Sequence, residues 1–98
     1  MMPMVELLAA LEAGEGDRAR AIVEAEPLLA RASGPNGATA LHRAAARGEE
    51  GLVDFLLVRG ADAGQADDAG LDAADHAWHA GHRALSQRLR LAGAAATH

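Results

Sequence analysis

Asn36-Gly37-Ala38-Thr39-Ala40-Leu41-His42-Arg43-Ala44-Ala45-Ala46-Arg47-Gly48-Glu49-Glu50-Gly51-Leu52-Val53-Asp54-Phe55-Leu56-Leu57-Val58-Arg59-Gly60-Ala61-Asp62 reads as turn, short helix, tight turn, apolar helix, turn. Thr39 can cap a helix over 40–47, because its hydroxyl can accept from a backbone N–H that the first helical turn leaves free. Gly48 then ends that helix, at a position where positive φ suits a residue without Cβ. Glu49 and Glu50 open the next helix, where its dipole favours acids. Leu52, Val53, Leu56 and Leu57 form the buried stripe of that helix, with Phe55 at its flank. Arg59-Gly60 ends it.

Parts of the stretch recur. Gly37 returns as Gly70, Ala44 as Ala77, Gly48 as Gly81, Leu52 as Leu85, Leu56 as Leu89 and Gly60 as Gly93, always at the same spacing. Backwards, with one extra residue, Leu41 matches Leu7, Ala44 matches Ala10, and Leu56-Leu57 match Ile22-Val23. The first unit is predicted as helices over 4–13 and 18–25, with Pro3 in the opening turn and Asp17 as a cap. Glu26-Pro27 stops its second helix, and Leu28-Leu29-Ala30 makes one further turn whose leucines tuck under the stack. The last unit is predicted as helices over 73–80, capped by Asp72, and 83–91. The tail 92–98 has nothing large to bury and is expected to fray.

A fixed period of about 33 residues with this helix-turn-helix-loop content is a signature of stacked repeats. The central unit resembles the ankyrin repeat family. Gly37-Ala38-Thr39-Ala40-Leu41-His42-Arg43-Ala44-Ala45 follows the family's G-x-T-P-L-H-x-A-A run, with Ala40 in place of Pro, and Gly48 through Gly60-Ala61-Asp62 follows its second-helix and G-A-D run. In the last unit Leu71-Asp72-Ala73-Ala74-Asp75 departs from T-P-L-H, and Asp75 takes the His position. The resemblance covers about residues 4 to 91 and implies an all-α α-solenoid of the bacterial type. It is expected to be one domain over 1–98, with units at 4–33, 34–66 and 67–91. Gly37, Thr39, Leu41, His42, Gly48, Leu56, Leu57 and Gly60 are then structural positions, and the His42 ring is expected to bond to nearby turn backbone.

Bulk properties narrow the function. The chain has 98 residues, of which 26 are Ala, with one Phe and one Trp. A core of this kind suits helices in close approach. All nine basic residues are Arg, and the net charge is −5, which opposes a nucleic-acid footprint built from clustered cations. Without Cys there is no disulfide or thiolate site. The N-terminal stretch lacks the basic region of a signal peptide, no apolar run reaches membrane length, and a cytoplasmic, monomeric protein is expected.

No nucleophile triad, phosphate loop or EF-hand spacing is present, so neither enzyme activity nor a cofactor is expected. Asp62, Asp67, Asp68, Asp72 and Asp75 read as solvated loop acids and helix caps. His76 and His79 share a helix face and could meet Asp72 or Asp75 around a divalent ion, but two histidines without a third firm ligand make a weak site. Trp78 aligns with Ala45 and either caps the exposed end of the core or anchors a partner. By its positions, the resemblance implies a concave binding face formed by Pro35, Asn36, Ala38, Arg43, Ala46 and Arg47 in the middle unit. Asp68, Leu71, His76 and His79 continue it in the last unit. The implied function is binding of a partner protein through that face. The alternative is a dedicated regulatory or inhibitory subunit of an enzyme or toxin.

Overall fold

The computed structural model describes residues 3–96. Six helices follow in order: α1 (Pro3–Glu12), α2 (Gly16–Ala25), α3 (Ala40–Arg47), α4 (Glu50–Val58), α5 (Ala73–His79) and α6 (Arg83–Ala96). Short 3₁₀ turns occupy Pro27–Ala30 and Pro35–Gly37. Among the described residues β pairing is limited to an isolated antiparallel bridge between Ser33 and Thr39.

The helices form three antiparallel pairs, and the same turn closes each. Glu15 N–H donates to Ala10 O at 2.8 Å, Glu49 N–H to Ala44 O at 3.1 Å and His82 N–H to Ala77 O at 2.8 Å. Gly14, Gly48 and Gly81 sit at these turns with φ of +75°, +70° and +90°. The long loops repeat as well: Gly34 N–H donates to Ala38 O at 2.8 Å, and one repeat step later Asp67 N–H donates to Leu71 O at 2.9 Å. The repeat read from side-chain types is therefore also a repeat of backbone hydrogen bonds.

α3 is the central element and packs on both α1 and α5. Ala40, Ala44 and Ala45 are fully buried on it, as are Ala73, Ala74 and Ala77 on α5. Side chains this small let helix axes approach closely. The larger side chains fill the layer behind: Leu7 and Leu11 of α1, Leu41 of α3, Val53 and Leu56 of α4, Leu85 and Leu89 of α6. Leu57 is half-buried against this cluster. Thr39, His42 and Ser86 are the buried polar side chains among the described residues, and Ser86 Oγ donates to Ala74 O at 2.8 Å, so it brings no unpaired group inside.

Four expectations are corrected. Leu28 is 83% exposed, and only Leu29 is tucked under the stack, because a 3₁₀ turn of this length presents one face to the core. Asp17 does not cap α2; the helix begins at Gly16, and Asp17 lies inside its first turn. Val5, placed on the apolar stripe of α1, is exposed. Residues 92–96, expected to fray, continue α6. Thr97 and His98 lie outside the described residues.

Candidate functional site

The exposed side of α3 and α5, with the loop tips before them, is built from the caps upward. Thr39 Oγ1 accepts from His42 N–H at 3.2 Å, and Thr39 N–H donates to His42 Nδ1 at 2.9 Å. Nδ1 is thus the acceptor, and Nε2 carries the proton that is donated to Gln65 O at 2.9 Å. His42 is buried and joins the start of α3 to the next unit's loop. Burial pulls its pKa below the usual 6.5, against the opposing bond to Gln65. In the next unit Asp72 and Asp75 form the same reciprocal box, Asp72 Oδ1 accepting from Asp75 N–H at 2.9 Å and Asp75 Oδ2 from Asp72 N–H at 3.1 Å. The bond from Asp72 N–H lowers the pKa of Asp75, and Arg90 at 3.4 Å adds to it.

The loop tips of the two units touch. Asp68 N–H donates to Asn36 O at 3.0 Å, and Asn36 itself adopts a left-handed φ of 62°, which Asn tolerates better than most residues. Beside them Asp67 Oδ1 accepts from Ala69 and Leu71 N–H, both at 3.0 Å. Asp67 Oδ2 meets His76 Nε2 at 2.7 Å. The Leu71 N–H, then His76, hold the Asp67 pKa at about 2.

The candidate partner-binding positions differ in exposure and engagement. Pro35, Asn36, Arg47, Asp68 and His79 are exposed, and Leu71 and Ala46 are half-buried. Arg43 and Arg47 reach back to the end of α1: Arg43 Nη1 meets Glu12 Oε1 at 3.2 Å, and Arg47 Nη1 donates to Glu12 O at 3.2 Å and its Nε to Glu49 at 3.4 Å. They are therefore partly engaged and not the free outward side chains that the repeat alone implies. Ala38 is only 9% exposed; its carbonyl is taken by Gly34 N–H, and it offers no contact surface.

His76 stands apart from His79 as a ligand, because its Nε2 is committed to Asp67 and its ring lies 5.1 Å from that of His42. Among the described residues no group of three or more His, Asp or Glu side chains gathers as a metal would require. Two residues that position this face escape sequence reasoning: Glu12 is not singled out, and Asp67 reads only as a loop acid. Asp67 carries one available signal, because it stands one repeat step after Gly34, at the hydrogen-bonded tip of the loop.

Helical hairpins joined by the same turn and recurring every 33 or 34 residues define a helical-repeat solenoid. Residues 36–68 match the family model for the ankyrin repeat, and the chain is an all-α ankyrin repeat protein. It is 38% identical over 86 residues to a protein of Oryza sativa subsp. japonica described as a probable E3 ubiquitin-protein ligase, XBOS33. That likeness covers 87% of this chain and 16% of the rice protein, so the chain spans about a sixth of its relative. No solved structure matches the chain significantly. The ankyrin repeat is a non-catalytic protein-interaction unit, and among the described residues no helix is long and apolar enough to cross a membrane.

Proposed function

We propose that the chain recognises a partner protein through the face formed by α3, α5 and the loop tips at Asn36 and Asp68. The observation that carries this is the division of α3 and α5. One side of each is buried, with Ala40, Leu41, Ala44 and Ala45 on α3 and Ala73, Ala74 and Ala77 on α5, and the other presents a row of hydrogen-bonding side chains, Arg43 and Arg47 followed by His76 and His79. The internal contacts of Arg43, Arg47 and His76 order these long side chains before binding, which reduces the conformational entropy lost on association. Neither cofactor nor catalysis belongs to this reading, and the module acts as a monomer in the cytoplasm. Its three units, 4–33, 34–66 and one that begins at 67, form one domain. The face is at or below the ~800 Å² per partner of a standard interface, so moderate affinity is expected. The rice relative's description as a ligase concerns a protein of which this chain matches one part, and only the repeat stack is carried over.

Ala46 and His79 make no side-chain bond that the fold uses, so changing them tests the face without unfolding it. Affinity capture from the native host, followed by quantitative mass spectrometry, should retain a protein that Ala46→Arg/His79→Glu loses about tenfold or more. A captured set indifferent to that double variant would place the interface elsewhere.

A further inference from the structure

The junctions between successive helix pairs show what the C-terminal side of a unit receives. At the α4–α6 junction, Glu50 and Asp54 accept from the Arg88 guanidinium, Glu50 at 3.0 Å. At the α2–α4 junction, Glu24 accepts from Arg59 at 3.1 Å. In both cases a helix offers carboxylate to an arginine brought by the helix that follows. One repeat step carries Ala45, Glu50, Asp54 and Leu57 onto Trp78, Arg83, Gln87 and Arg90. On α5 and α6 the two acids have become a cation and an amide, and the small alanine an indole.

Those four residues line one groove with Ala84 and Ser86. Trp78 is 50% exposed, and the Arg83 guanidinium lies 5.0 Å from the centre of its ring. Arg90 reaches Asp75, but Arg83 meets no carboxylate among the described residues. An exposed indole beside an uncompensated guanidinium gains from a partner that excludes water from the ring and brings a negative charge to the cation.

We infer that this end face docks an acidic amphipathic helix of a partner protein, which lays an aliphatic side chain on Trp78 and a carboxylate on Arg83. A helix is the occupant because at the equivalent acids of α4 the counter-charge is brought by a helix, α6. An acid is required because the charge at the equivalent positions is inverted. A second copy stacked in the same sense would bring Ala21 where α6 brings Arg88, and so no anion to Arg83. The face is separate from the α3–α5 surface, and neither reading depends on the other.

Trp78 is the chain's only tryptophan, so its emission reports on this face alone. The probe is a synthetic Ala-rich helical peptide with Leu and Glu spaced i, i+4, and its control is the same peptide with Lys for Glu. The Glu peptide should shift Trp78 emission to the blue in a saturable titration that weakens with added salt. Arg83→Glu should weaken it about tenfold or more, and Arg83→Gln, which adds no new charge, should weaken it in the same direction. Trp78→Ala, followed by anisotropy of labelled peptide, should also lose binding. Ala46→Arg/His79→Glu should leave it unchanged, so failure here and failure of the α3–α5 face are told apart. The proposal is overturned by any of four results: no saturable shift at millimolar peptide, equal binding of the Lys peptide, indifference to both Arg83 variants, or an emission shift that depends on protein concentration alone.

Discussion

At the scale of single residues, His42 shows how a side chain that resembles chemistry is consumed by architecture. Its Nδ1 accepts from Thr39 N–H and its Nε2–H donates to Gln65 O. A second proton on the ring would set two donors face to face. The lowered pKa means that the unfolded chain takes up this proton first, so the stabilisation is complete above the ordinary value of 6.5 and declines as pH falls below it. Asp67 acts in the same direction at lower pH. Held at about 2 against an ordinary 3.8, it stabilises the fold above 3.8, and that contribution is lost as pH falls from there toward 2. Denaturant titrations at graded pH should show declining stability through both windows. His42→Gln should lower stability at neutral pH by about 1–2 kcal/mol, the scale of a lost cap, and flatten the decline below 6.5. A variant curve parallel to the native one would show that His42 is not the group responsible.

At the scale of elements, the turn between α3 and α4 limits what can stand at its apex. Gly48 has φ of +70°, and a Cβ there would lie 2.5 Å from the His82 ring of the next unit. Gly48→Ala therefore meets two costs, a left-handed backbone and a displaced imidazole, and should destabilise by about 1–3 kcal/mol. Adding His82→Ala relieves the second and should bring the loss down to roughly 0.5–1 kcal/mol relative to the single His82→Ala chain. A double-mutant cycle by urea denaturation measures the difference, and strictly additive effects would mean that ring and turn do not compete. Element boundaries were legible where a cap or a stop marked them: α3 begins after Thr39 and ends at Gly48 as read. They were not legible at α2, which lacks a side-chain cap, nor at the end of α6, where the helix runs on through Gly93, the repeat counterpart of the Gly60 that follows α4.

At the scale of the whole molecule, α3 and α4 hold the stack together, because each unit of a solenoid contacts only its neighbours. Leu56 is buried to 1% exposure at the centre of that layer. Leu56→Ala should cost about 2–5 kcal/mol, which in a chain of this size lowers Tm by at least ~10 °C. Calorimetry checks it, and a Tm within a degree or two of the native value would remove Leu56 from the core. The surface ion pairs contribute far less. Arg43 with Glu12 and Arg59 with Glu24 are exposed enough that each is worth about 0–1 kcal/mol; they orient units more than they stabilise them.

The sequence alone determined that this chain is a stack of helical hairpins recurring every 33 or 34 residues, and that Leu52, Val53 and Leu56 face inward, but it misplaced Leu28. Burial acts on every unit alike and so imprints a period. It also determined that His42 belongs to a cap. Only the tertiary structure decided which outward side chains are engaged. Arg43 and Arg47 turn to Glu12, His76 turns to Asp67, Ala38 is covered by its own loop, and Trp78 stands half-open under Arg83. Those pairings obey no period in the chain. They arise where neighbouring units stack or a loop folds back on its own helix, so they follow from distances in space and not from the pattern within one unit.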